Sequence, residues 1–148
     1  MLKVLIAEDE LLIADQIEET LAANGYEVCG IARTVDEAVA LANVHEPDLA
    51  VIDIRLAKGT YGPDIAWLLN SKANFGVLYA TGNDLPKNRL TLDDGDALLV
   101  KPFRAAELLR ALAIVWEITS EGRATPPFPR GFRLLPGFPA RYDREASA

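Results

Sequence analysis

The chain has 148 residues, 50% of them apolar, a formal net charge of −7, one cysteine and one histidine. That length suits one domain with an appendage, able to bury roughly 70% of the surface its unfolded chain exposes. The acidic balance disfavours nonspecific attraction to nucleic acid or anionic membrane, no apolar run nears the ~20 residues that span a bilayer, and the single Cys29 and His45 exclude an internal disulfide and a Cys/His zinc cage.

The amino-terminal residues turn acidic by Glu8, too early for a secretion signal, so a cytoplasmic protein is expected. Residues 2–7 form an apolar run broken only by Lys3, the pattern of a strand buried on both faces. Glu8-Asp9-Glu10 ends it. Leu11, Leu12, Ala14, Ile17, Leu21 and Ala22 then recur at helical spacing, with Gly25 as the stop. Residues 28–32 read as a second strand, in which Cys29 is expected to be a small core residue. Thr34 is an N-cap with Glu37 completing a capping box, and Ala38, Leu41, Ala42 and His45 continue that helix until Pro47.

A third apolar strand covers residues 49–54 and carries Asp53. A Gly/Lys/Thr loop follows, then a helix over about 63–70. Residues 76–80 and 97–100 make the fourth and fifth strands, and about 104–118 the last helix. Strands alternating with helices at this pitch mean a parallel sheet built from βα units. Between Thr81 and Lys101 a fourth helix is due, but Leu85, Leu90 and Leu92 make no full apolar stripe, so a short, frayed or absent helix is expected.

Residues 1–118 are thus read as the domain and residues 119–148 as a tail. The tail holds five of the nine prolines and five arginines against three acids, which gives it +2 and leaves −9 on the rest. It is expected to be extended or disordered. Phe128, Phe132, Leu134, Leu135 and Phe138 raise the alternative of a strap lying on the domain near Trp116.

In an open parallel sheet, ligands bind beyond the carboxyl ends of the strands, where the strand order reverses. If the first strand lies between the second and third, Glu8, Asp9 and Asp53 converge there. Two such charges ~5 Å apart cost about 3 kcal/mol at an effective dielectric of ~20, so a compensating cation is needed. Oxygen ligands alone select a hard ion, and Mg²⁺ fits best because it pairs with one or two carboxylates and bridges to phosphate. Thr81 and Lys101 end the fourth and fifth strands with a hydroxyl and an ammonium suited to phosphoryl oxygens. A cis Lys101–Pro102 bond would be one way to aim that ammonium inward.

The set Glu8-Asp9-Glu10, Asp53, Thr81-Gly82 and Lys101-Pro102-Phe103 resembles the receiver domain of two-component response regulators, over about residues 1–118. The resemblance implies a flavodoxin-like (βα)₅ fold, a doubly wound parallel five-stranded sheet in the order 2-1-3-4-5. It implies Asp53 as phosphoacceptor, with Thr81 as switch hydroxyl and Lys101 as neutralising cation. It further implies Mg²⁺ at Glu8, Asp9, Asp53 and the backbone carbonyl of Arg55, Asp9 as a direct ligand and Glu8 through water. Two positions depart from the common pattern, Glu8 where most members carry Asp and Leu98 at the aromatic switch position. The stretch Leu78-Tyr79-Ala80-Thr81-Gly82 resembles the Phe-Ala-Thr-Gly subfamily paired with HWE-type histidine kinases, and Asn83-Asp84 departs from the usual ending of that subfamily.

The function so implied is that of a stand-alone receiver in a phosphorelay, a phosphoprotein rather than an enzyme beyond its own autophosphorylation and autodephosphorylation. Its expected partners are a sensor histidine kinase and a downstream phosphotransfer or regulatory protein, with no direct nucleic-acid or membrane contact. It would be a monomer or a weak homodimer through the last helix. Ala111, Ile114 and Ile118 of that helix extend beyond one stripe, which suits tail contact or an interface. The alternatives are a Mg²⁺-dependent phosphohydrolase with an aspartyl-phosphate intermediate and a flavin-binding protein of flavodoxin type. A flavin phosphate would meet three repelling carboxylates.

Overall fold

A computed structural model describes residues 1–69, 75–82, 90–91 and 93–136. In chain order the elements are β1 (Lys3–Ala7), α1 (Leu11–Ala23), β2 (Glu27–Ala32), α2 (Val35–His45) and β3 (Leu49–Asp53), followed by a 3₁₀ turn (Ala57–Gly59). Then come α3 (Pro63–Leu68), β4 (Gly76–Thr81), β5 (Ala97–Val100), α4 (Ala105–Glu121) and β6 (Phe132–Leu134). The sheet order is β2-β1-β3-β4-β5-β6, with the first five strands parallel and β6 antiparallel to β5. This is the expected flavodoxin-like order 2-1-3-4-5 with one strand added. The expected short or degenerate fourth helix falls largely on 83–89 and 92, outside the described residues.

The apolar runs behave as strands buried on both faces because alternate residues feed two separate cores. Leu5, Ala7, Ala50, Ile52, Val77, Tyr79 and Leu98 face one core with Ala38 and Ala42 of α2 and Ile65 of α3. Val4, Ile6, Leu49, Val51, Leu78, Ala80 and Leu99 face the other with Ile17 and Leu21 of α1 and Leu108, Ala111, Leu112 and Val115 of α4. At roughly 1.5–3 kcal/mol per fully buried aliphatic side chain, these two layers dominate the stability of the fold.

Local signals were largely obeyed. Gly25 follows α1 at φ +88°, and Thr34 Oγ1 accepts the Glu37 amide at 3.2 Å. The Glu37 carboxylate reaches the amide of Arg33 rather than that of Thr34, at 3.1 Å, so the capping box is offset by one residue. Cys29 corrects another expectation. It lies where the β1–β2 register slips between Val4 and Leu5, on an edge strand, and is only partly buried.

The tail is built into the sheet as far as Pro136. α4 runs three residues past the expected end, to Glu121, and Gly122 closes it at φ +76°. The chain then turns back, and Ala97, Leu98 and Leu99 pair with Leu134, Arg133 and Phe132. Phe132 and Leu134 pack against Ile114, Ile118 and Ala124, so the tail lies along the β5 edge on the Ile114 side of α4. Residues 137–148 lie outside the described residues. Among the described residues, no helix is long and apolar enough to cross a membrane.

Candidate phosphoryl-transfer site

The reversal of strand order about β1 opens a crevice at the carboxyl ends of β1 and β3, which explains how residues 45 positions apart come to share a site. Glu8 and Asp9 follow β1, and Asp53 is the last residue of β3. One carboxylate oxygen from each lies within 4.8 Å of the other two. The donor set is all oxygen and all anionic, which suits a hard divalent cation and gives a zinc- or copper-type ion no soft ligand.

The fifth strand brings in the opposing charge. Lys101 directly follows β5, and its Nζ donates to Glu8 Oε2 at 2.8 Å and to Asp53 Oδ2 at 3.2 Å. The Lys101–Pro102 peptide bond is cis. The Lys101 amide donates to the Thr81 carbonyl at 2.6 Å, which locks the ends of β4 and β5 together. Thr81 itself is buried as the last residue of β4. Arg55 is exposed, and its amide donates to Asp53 Oδ1 at 3.4 Å. Thus the structure gathers Glu8, Asp9, Asp53 and Lys101 around one crevice, with Thr81 at the adjoining strand end and Arg55 beside Asp53.

The electrostatics follow from unequal burial. The Glu8 side chain is 1% exposed, against 15% for both Asp53 and Lys101. Burial pushes the Glu8 pKa from 4.5 up to about 7; the hydrogen bond from Lys101 opposes this and the Asp53 charge adds to it. Burial alone would lower the Lys101 pKa, but the bond and charge of Glu8 and the charge of Asp53 outweigh it and hold the ammonium above its ordinary value. One ammonium among three carboxylates leaves the crevice short of positive charge.

Two features went unread in the sequence. The Lys101–Glu8 bond is one, because the sequence suggested only a role for Lys101 toward an incoming phosphoryl group. Gly62 is the other. A Cβ there would lie 1.9 Å from the Asp53 carbonyl oxygen and 2.8 Å from Ile52 Cγ2. Its amide donates to the Ile54 carbonyl at 2.7 Å, and Arg55 bridges to Tyr61, so the loop folds flat against the strand that presents Asp53. A glycine directly before Pro63 was the available signal, but only the tertiary approach gives it meaning.

Comparison with known proteins agrees with this geometry. The profile of the response regulator receiver domain matches residues 4–113. The transcriptional regulatory protein PdtaR of Mycobacterium tuberculosis is 39% identical over 114 residues, 76% of this chain and 55% of that protein. The phyllosphere-induced regulator PhyR of Methylorubrum extorquens is 36% identical over 109 residues, 72% of this chain and 40% of that protein. This chain therefore spans about half the length of the curated relatives it matches. Among solved structures, the signal receiver domain of a modulated diguanylate cyclase from Desulfovibrio desulfuricans covers 83% of this chain and 99% of its own, at a TM-score of 0.69 and 26% identity. The response regulator PhyR from Brucella abortus covers 70% and 43%, at a TM-score of 0.60 and 34% identity. With about three-quarters of its length under the family profile and its acidic crevice closed by a lysine, the chain belongs to the response regulator receiver domain family.

Proposed function

We propose that the chain accepts a phosphoryl group on Asp53 from a sensor histidine kinase and passes the signal on through protein contacts. The observation that carries this reading is the convergence of Glu8, Asp9 and Asp53 within 4.8 Å, with Lys101 Nζ 3.2 Å from the Asp53 carboxylate. An Asp53 oxygen attacks the phosphorus of the donor in line. The new O–P bond forms as the P–N bond to the kinase imidazole breaks, and the imidazole departs with the electron pair and takes up a proton.

Glu8, Asp9, Asp53 and the Arg55 carbonyl are the groups that would hold Mg²⁺. Bound there, the metal supplies positive charge to the oxygens of the transferring group. Lys101, already bonded to Asp53 and Glu8, can turn one of these hydrogen bonds to a phosphoryl oxygen without leaving the crevice. The Thr81 hydroxyl, at the adjoining strand end, is the donor we assign to a second oxygen.

The Tyr79-Ala80-Thr81-Gly82 stretch supports a kinase of HWE type as the partner. The acidic balance favours protein partners over nucleic acid. Relatives named as regulators lend no support to the phosphohydrolase alternative. Beryllium fluoride with Mg²⁺, a mimic of an aspartyl phosphate, tests the assignment by ¹⁹F NMR. Bound fluorine resonances are expected with the native chain and absent with Asp53→Ala. Equal signals from both would remove Asp53 from the role.

A further inference from the structure

We infer that the β6 strap is the output element of this receiver, held on the β5 edge in the resting state and loosened when Asp53 is phosphorylated. The inference rests on Asp53 being the phosphoacceptor. It starts from the position that departs from the family pattern. Leu98 is 5% exposed, packed in the core and paired with Arg133 of β6, so no aromatic side chain swings there. The route from the site to the surface runs along the backbone instead.

That route is short. Lys101 holds Asp53 through its side chain, and the next residue back, Val100, donates its amide to the Gly131 carbonyl at 3.0 Å. Gly131 leads directly into β6. On this inference the carboxyl ends of β4 and β5, joined at the Lys101 amide, shift together when Lys101 and Thr81 engage a phosphoryl group, and the Val100–Gly131 bond is the strap's nearest link to that shift.

The strap is placed to respond. β6 has only three residues, and beyond the Gly131 bond its far end is fixed by the Leu135 amide on the Asp96 carbonyl at 3.2 Å. Short edge pairings sit at the low end of local stability. The segment leading into it is anchored independently of the phosphorylation site. Arg110 donates to the Thr125 and Pro127 carbonyls at 2.6 and 3.1 Å, and Glu117 accepts from the Thr125 amide and hydroxyl at 2.6 and 2.7 Å. Loosening β6 uncovers the β5 backbone edge together with Ile114 and Ile118, which Phe132 and Leu134 otherwise cover. Phosphorylation thus exposes a strand edge flanked by an apolar helix face.

The test is amide hydrogen exchange on the full chain, followed by mass spectrometry, with Mg²⁺ and with or without acetyl phosphate. Intact mass is read on the same samples. Phosphorylated protein is expected to exchange residues 131–135 at least tenfold faster, with β1 unchanged. Arg110→Ala, remote from the crevice, is expected to speed the same residues without any phosphodonor. Unchanged exchange at 131–135 in protein whose mass shows the phosphoryl group would overturn the inference and leave the phosphoacceptor reading intact. A chain that gains no phosphoryl group from acetyl phosphate or from a phosphorylated kinase would remove both, and the mass tells the two failures apart.

Discussion

Gly62 and Glu8 set the chemistry of the crevice from opposite sides. Gly62 lets the loop after β3 lie against the backbone of Asp53, so Gly62→Ala forces that strand end to move. We expect a loss of about 1–3 kcal/mol in urea denaturation, with weaker Mg²⁺ binding. Glu8 controls pH dependence. Its folded pKa of about 7 lies above the ordinary 4.5, so the folded chain holds a proton that the unfolded chain has released. The metal-free fold therefore loses stability as pH rises from about 4.5 through 7. On the proposed assignment of Glu8 to Mg²⁺ the ion takes the carboxylate form, so its affinity should rise by up to about tenfold per pH unit below 7 and level off above it. Calorimetric titration from acid to alkaline buffer checks this, and Glu8→Gln should flatten the curve. The acidic residues were legible in the sequence as residues at strand ends. Their unequal burial was not, because it depends on which side chain Lys101 and the packed sheet cover.

Elements with strong periodicity were legible, and those made by tertiary pairing were not. β1, β3, β4 and β5 stood out because two packed faces demand unbroken apolar runs. The strap did not, because a three-residue strand between prolines has no period, and its partner strand lies more than 30 positions away. The excess of aromatic and leucine residues in the tail was the only trace. Leu135 anchors the end of the strap, 3% exposed and clustered with Leu98, Tyr79 and Leu90. Leu135→Ala should cost about 2–5 kcal/mol, seen as a lower urea midpoint. A substitution at neighbouring Arg133, which is exposed, should leave the midpoint nearly unchanged. No loss at Leu135→Ala would mean that its packing does not hold the end of the strap.

Across the whole molecule, topology does what no single motif can. A sheet whose order reverses at β1 carries the acids of β1 and β3 and the lysine after β5 to one end, while the tail covers the β5 edge. The crevice could be anticipated because strand ends and the reversal rule are both readable from sequence. The added antiparallel strand could not, and it distinguishes this chain's surface from a bare five-stranded receiver. The central claim is that this arrangement makes Asp53 a phosphoacceptor. Intact mass spectrometry after incubation with acetyl phosphate and Mg²⁺, with Asp53→Ala alongside, tests it most directly. The account predicts a Mg²⁺-dependent gain of one phosphoryl group in the native chain and none in the variant. The same gain in Asp53→Ala, or no gain in the native chain with either acetyl phosphate or a phosphorylated kinase as donor, would contradict it.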